Sequence, residues 1–164
     1  MEPRNLGQDL PILLNFLPSV VTTSDAGAGI GYTGIRVRGS DATRVNVTIN
    51  GIPYNDSESQ GTFWVNLPDF SSSVENIQLQ RGVGTSTNGS AAFGASLNIL
   101  TDGISKEKFI ETSTSLGSFS TLKNTLRFST GDINDNFQIS GRFSKIISDG
   151  YIERASSDLT SYFL

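Results

Sequence analysis

"NIQLQRGVGTSTNGSAAFGASLNILT", Asn76 to Thr101, sets two alternating apolar runs on either side of Arg81-Gly82 and a tract of small residues. As a phosphate cradle the tract lacks the Gly-Lys-Ser/Thr ending that would bring a lysine to the phosphates. As a linker it fails too, because Phe93 and "SLNIL" anchor its far side and the flanking runs read as strands that want to pair. What remains is a tight structural loop, with a helical turn expected around Ser90 to Phe93, packed where large side chains would not fit.

Working back toward the N-terminus, "RVNVTINGIPYND" sends Val45, Val47 and Ile49 to one face and turns at Asn50-Gly51, a strong hairpin signal. "GIRVRGS" does the same with Ile35 and Val37 against Arg36 and Arg38, and "SVVTT" reads as a short strand before it. Between them "SDAGAGIGYTG" is a loop whose four glycines allow unusual backbone angles. Its "GIGYTG" matches the dinucleotide fingerprint in letters only. The segment that follows alternates with period two, so no helix opens there to meet a pyrophosphate. Leu6, Leu10, Leu13, Leu14 and Leu17 are spaced for one face of a short helix, with Pro11 tolerable near its first turn. "PDFSSSVE" reads as a single helical turn opened by Pro68.

Composition narrows the chemistry. The chain has 164 residues, no cysteine and no histidine, which removes disulfides, thiol nucleophiles, His-based triads and the usual zinc sites. Asp41, Asp56, Glu58 and Asp69 are scattered in loops and read as solvated or loop-capping acids. No catalytic residue, metal site or cofactor is expected, and the protein is read as not an enzyme. A net charge of -4 without a basic patch argues against nucleic acid. "MEPRNLGQ" lacks the plan of a signal peptide, so export would be signalled upstream of Met1. Lysine is missing from residues 1–105, where the basic residues are Arg4, Arg36, Arg38, Arg44 and Arg81. Arginine suits enclosed, bidentate pairing with carboxylates, so this first part reads as a body meant to be surrounded.

From Lys106 the texture changes. "FIETSTSLGSF", "TLKNTLRFST" and "NFQISGRFSKI" are strands separated by turn clusters. Leu122, Asn124, Leu126 and Phe128 share a face opposite Lys123, Thr125 and Arg127; Phe137, Ile139, Gly141 and Phe143 oppose Gln138, Ser140, Arg142 and Ser144. Such strands build the wall of an outer-membrane β-barrel or one half of a soluble sandwich, and alternation alone leaves both open. A boundary is expected near Asp102 to Lys106.

Together, "IRVRGSDATRVNVTINGIPYND" and "VENIQLQRGVGTSTNGSAAFGASLNILT" resemble the plug domain of TonB-dependent outer-membrane receptors. The matching features are a strand ending in Arg-Gly, the Asn50-Gly51-Ile52-Pro53 turn, a second Arg-Gly strand, a small-residue loop and an "N-I-L-T" strand. The resemblance covers about Leu6 to Thr101 and implies an α+β chain: a mixed-sheet plug at 1–104, then the first antiparallel strands of a plugged barrel at 105–164. It implies import of a scarce small ligand (ferric siderophore, haem or cobalamin type) across the Gram-negative outer membrane, driven by TonB. No TonB box lies in the sequence, which is read as a fragment. The alternative is a secreted β-rich adhesion or carbohydrate-binding module, with a nucleotide-dependent enzyme further behind.

Two sets of site residues follow. The resemblance implies that Arg38 and Arg81, with Arg36 beside them, pair with carboxylates of the barrel wall. The loops at 27–33 and 54–64 are expected at one end of the plug, with Tyr32, Tyr54, Asn55 and Trp64 contacting ligand because exposed loop aromatics favour recognition.

Overall fold

The computed structural model describes residues 5–84, 92–103, 105–133 and 137–164. The tract expected to form a turn at Ser90 to Phe93 therefore lies partly outside the described residues.

The first unit is built on two small sheets. Strands β1 (Val20–Ser24) and β2 (Thr33–Val37) form an antiparallel hairpin closed by the glycine loop, with Ser24 opposite Thr33. A four-stranded sheet runs in the order β4-β3-β6-β5, from β3 (Val45–Ile49), β4 (Ile52–Pro53), β5 (Val74–Arg81) and β6 (Ala95–Thr101). β3 and β6 are parallel and the other neighbours antiparallel. The turn between β3 and β4 uses Asn50 at φ 52 and Gly51 at φ 80, the positive pair that Asn-Gly adopts in tight hairpins.

Apolar alternation decides what this sheet buries. Val45, Val47, Leu97 and Ile99 meet Ile35, Val37, Leu10 and Leu14 in one core, each contributing about 1.5–3 kcal/mol by leaving water. The helix α1 is shorter than the leucine spacing predicts, covering only Leu10–Leu13. Gly7 at φ 113 breaks the chain before it, and the Asp9 amide is spent on the Gly29 carbonyl at 2.8 Å instead of a preceding turn. The turn after Pro68 is a 3-10 turn, Phe70–Ser73.

The second unit is a meander of four antiparallel strands, β7 (Lys108–Leu116), β8 (Leu122–Thr130), β9 (Ser140–Ser148) and β10 (Ser157–Phe163). Its burial is the reverse of a soluble sandwich. Lys123, Thr125, Ser129, Arg142 and Ser144 are buried, whereas Ile110, Leu126, Phe143 and Tyr162 stand exposed. An apolar outer face with polar side chains turned inward is the pattern of a membrane-spanning barrel wall. The strands shown form no closed barrel. Gly141 lies on the outer face with Phe143, and Phe128 and Leu164 lie close over it: a Cβ there would sit 2.6 Å from Leu164 Cδ2 and 2.9 Å from Phe128 Cε1.

Candidate functional site

The inward polar face of the meander meets the first unit at one carboxylate. Asp69 takes φ 52 and ψ 22 ahead of the Phe70–Ser73 turn, a left-handed conformation that Asp tolerates better than most residues. Its Oδ1 faces Lys123 Nζ at 2.7 Å and accepts from the Ser72 hydroxyl at 2.6 Å and the Asn5 amide at 3.1 Å. Its Oδ2 accepts from the Thr125 hydroxyl at 2.9 Å, from Arg142 Nη1 at 3.2 Å and from the Ser144 hydroxyl. Asp69 is 1% exposed, and Lys123 and Arg142 are 3% exposed each.

Strand geometry explains the convergence. Lys123 and Thr125 are two residues apart on β8, as are Arg142 and Ser144 on β9, so period two puts all four on the inward face. The register sets Thr125 opposite Ser144, closing the four into one patch. Arg142 is held further by Ser73, which accepts from its Nε at 2.7 Å, and by Ser161 at 3.1 Å from Nη1. Ser161 in turn donates to the Pro68 carbonyl at 2.9 Å, so β10 also grips the segment that carries Asp69.

The charges balance over a slightly wider group. Arg127 reaches Asp102 at 2.6 Å and Glu111 at 3.6 Å, so the cations Lys123, Arg127 and Arg142 stand against Asp69, Asp102 and Glu111. Burial opposes ionisation of Asp69. The Lys123 ammonium and the bonds from Lys123, Ser144 and Ser72 outweigh it and hold the carboxyl below the usual carboxylate range. A buried pair of this kind adds little net stability over an apolar contact, but removing one member strands the other without water. Phe70 packs edge-on against Phe163 at 6.1 Å and adds an apolar contact beside the charges.

This arrangement clamps two structural units through oriented, charge-assisted bonds. A family model described as the TonB-dependent receptor plug domain matches residues 3–96, more than half of the chain. The chain belongs to that family. The vitamin B12 transporter BtuB of Vibrio vulnificus (strain YJ016) is 30% identical over 85% of this chain and 22% of its own length. The FrpB iron transporter from Neisseria meningitidis (F3-3 variant) superposes with a TM-score of 0.73 at 17% identity, covering 98% of this chain and 26% of that one. The copper transporter OprC gives a TM-score of 0.71 at 14% identity, over 95% and 25%. The chain thus spans about a quarter or less of the length of these proteins. It is a mixed-sheet plug with antiparallel wall strands from an outer-membrane protein, in a family of transporters and receptors.

The plug residues singled out from sequence fall into different places. Arg36, Arg38 and Arg81 are exposed, and among the described residues no carboxylate lies within ion-pair distance of them. Arg81 Nη1 donates to the Pro18 carbonyl at 3.2 Å. Trp64 is 3% exposed and belongs to the core, which corrects the reading of it as an exposed loop aromatic. Its own 3-10 turn, Trp64–Asn66, carries it inward. Tyr54 packs partly against the same core. Asn55 pins its loop to β3, accepting from the Val47 amide at 2.7 Å and donating to the Val45 carbonyl at 2.9 Å. Tyr32 is 64% exposed on the glycine loop. A recess of about 220 Å³ is lined by Thr33 from the first loop and by Ser59, Phe63 and Trp64 from the second, among other residues.

Sequence reasoning missed Asp69 as a site residue. Asp41 and Asp56 cap loops as expected, accepting from the Thr43 and Ser59 amides at 2.9 Å and 2.7 Å. Asp69 instead is buried by partners from strands far along the chain. The available signal was the presence of Lys123 and Arg142 on strand faces opposite apolar ones, since inward cations need a counter-charge.

The root of the glycine loop holds a second buried acid. Asp9 Oδ2 accepts from the Thr33 hydroxyl at 2.8 Å, while Oδ1 has no hydrogen-bond partner. Burial pushes the Asp9 carboxyl up to about 7, against the opposing bond from the Thr33 hydroxyl.

Proposed function

We propose that this chain is the plug and first wall strands of a receptor that imports a scarce small ligand across the outer membrane, with TonB supplying the energy. In this reading residues 1–104 are the plug and 105–164 the opening strands of the barrel. The observation that carries it is the Asp69 clamp, in which a plug acid is buried by cations on the inner face of a wall whose outer face is apolar. A plug so held closes the lumen until it is moved. Relatives named for vitamin B12, iron and copper transport support the import of a metal chelate such as a ferric siderophore, haem or cobalamin.

Tyr32 is the proposed ligand contact on the glycine loop, with Tyr54, Asn55 and Trp64 shaping the neighbouring loop. Arg36, Arg38 and Arg81 are proposed to meet acids on later wall strands, which would enclose them. The test is uptake by cells expressing the complete receptor, with and without TonB, using labelled cyanocobalamin, haem, ferric siderophores and copper as probes. TonB-dependent accumulation of one probe is expected; accumulation of none, or accumulation indifferent to TonB, would overturn the reading.

A further inference from the structure

The glycine loop, residues 25–32, has little conformation of its own. Gly27, Gly29 and Gly31 take positive φ, at 71, 77 and 93, and glycine loses more freedom than any other residue on being fixed. The plug holds the root of the loop, where the Asp9 amide donates to the Gly29 carbonyl at 2.8 Å. The tip is held by the wall. The Ala26 carbonyl accepts from the Tyr151 amide at 2.9 Å and the Ile152 amide at 3.2 Å, both in the loop between β9 and β10. The Tyr151 ring lies so close to Gly27 that a Cβ there would sit 2.9 Å from Tyr151 Cβ and Cδ1. That ring meets Phe119 edge-on, with centroids 5.4 Å apart, and the Phe119 carbonyl accepts from the Asp149 amide at 2.9 Å. Phe119 is an odd choice for its position. With Ser120 it forms the centre of the β7–β8 turn, closed by the Thr121 amide on the Ser118 carbonyl at 3.2 Å, and the two take φ 59 and 53. Asn-Gly adopts such a pair of positive angles readily; for an aromatic residue the conformation is costly, and strain of this kind gathers where a side chain has work to do.

We propose that Phe119 and Tyr151 are a positioning pair on the wall, which fixes the glycine loop, and with it Tyr32, in one ligand-presenting conformation. This deepens the import reading above and rests on it for Tyr32 as the ligand contact; the hold on the loop does not. The strained turn aims the Phe119 ring at Tyr151, and Tyr151 bears on the loop tip through its ring on Gly27 and its amide on Ala26. The tip is tied to Tyr32 in turn, because the Tyr32 carbonyl accepts from the Asp25 amide at 3.0 Å and Gly31 lies beside Ser157, 3.3 Å from a built Cβ to Oγ. A contact residue on a loop already fixed binds without an ordering cost at that moment. The pair shares no residue with the Asp69 clamp, so the docking of the plug body and the shape of its loop can be altered separately.

The experiment is amide hydrogen exchange at residues 25–32 in the complete receptor. It needs neither ligand nor TonB, so its outcome is separate from that of the uptake test. Tyr151→Ala is expected to speed exchange there roughly three- to tenfold, the worth of an aromatic pair, whereas Tyr151→Phe keeps the ring and should match wild type. Phe119→Asn with Ser120→Gly should speed it by a similar factor even though the turn itself becomes more favourable, and adding Tyr151→Ala should do little more. Plug release in urea should stay as in wild type for all of them. Where labelled cyanocobalamin, haem, a ferric siderophore or copper binds the wild type, the loosened variants should bind it more weakly, and less than additively with Tyr32→Ala. Exchange that Tyr151→Ala leaves unchanged, or speeds only together with plug release, would overturn the proposal, as would faster exchange with unaltered binding of a probe. If no probe binds, the import reading falls and exchange alone decides the hold on the loop. Should the turn variant not assemble, Tyr151→Ala against Tyr151→Phe decides it.

Discussion

Asp69 and Arg38 are both charged plug residues held at φ 52, yet one is 1% exposed and the other faces solvent. The backbone device is the same in each: a left-handed residue in a tight turn projects a long or charged side chain away from the plug. What differs is whether wall strands arrive opposite it. β8 and β9 bring Lys123 and Arg142 to Asp69, and among the described residues no carboxylate comes within ion-pair distance of Arg38 or Arg81. A plug charge is thus made costly or harmless by the wall, and the pairing polarity follows whichever strand passes. The family resemblance led to the expectation of plug cations against wall acids; at the contact seen here the polarity is reversed.

The comparison breaks first at Asp69. Asp69→Asn leaves two buried cations without a counter-charge and is expected to weaken plug docking by about 3–5 kcal/mol. Replacing Asp69, Lys123 and Arg142 together by Leu or Met should restore much of that loss, because no charge is then stranded. Urea titration of plug release in the complete receptor checks both. The low carboxyl pKa fixes the pH behaviour: the contribution of Asp69 is present above the ordinary carboxylate range and lost only as pH falls through its lowered value.

Asp9 behaves oppositely. Its folded carboxyl titrates at about 7, above its unfolded value, so between those two values the folded form alone keeps the proton. Stability therefore falls as pH rises toward 7 and levels beyond it, by roughly 4 kcal/mol in all. Asn at this position cannot ionise, so Asp9→Asn should raise the denaturation midpoint more at pH 8 than at pH 5. An equal shift at both values would show that Asp9 is not buried as a neutral acid.

Arg81 sharpens the contrast from the other side. In the complete receptor Arg81→Ala is expected to loosen the plug by about 1–3 kcal/mol, the worth of charged hydrogen bonds, and to raise single-channel leak in a planar bilayer. Arg81→Lys should rescue it only in part, since the bidentate fork is lost. A closed trace for Arg81→Ala would leave that arginine a surface residue. Smallest of all, Tyr32→Ala should change stability by no more than about 0.5 kcal/mol, while weakening binding of whichever probe the receptor imports.

Much of the architecture was legible because it is local. Alternation placed β2, β3, β5 and β6, Asn50-Gly51 placed the hairpin, and the polar-apolar strands after Lys106 anticipated the meander. Which face of those strands points outward was not legible, because a sandwich and a barrel wall share the same period. The buried side chains of Lys123 and Arg142 decide it. The clamp itself was hidden for a plainer reason: Thr125 and Arg142 lie 56 and 73 residues from Asp69, and nothing in "LPDFSSS" marks its acid as different from Asp41 or Asp56. Trp64 misled because a polar loop can still send one aromatic into the core through a single 3-10 turn.

The most direct test is a double-mutant cycle between Asp69 and Lys123, read as plug release from the complete receptor in urea. If the two form one buried pair, Asp69→Asn and Lys123→Met should couple by about 2 kcal/mol or more, with the double variant far less damaged than the sum of the singles. Additive losses would mean that the plug is not held to its wall at Asp69.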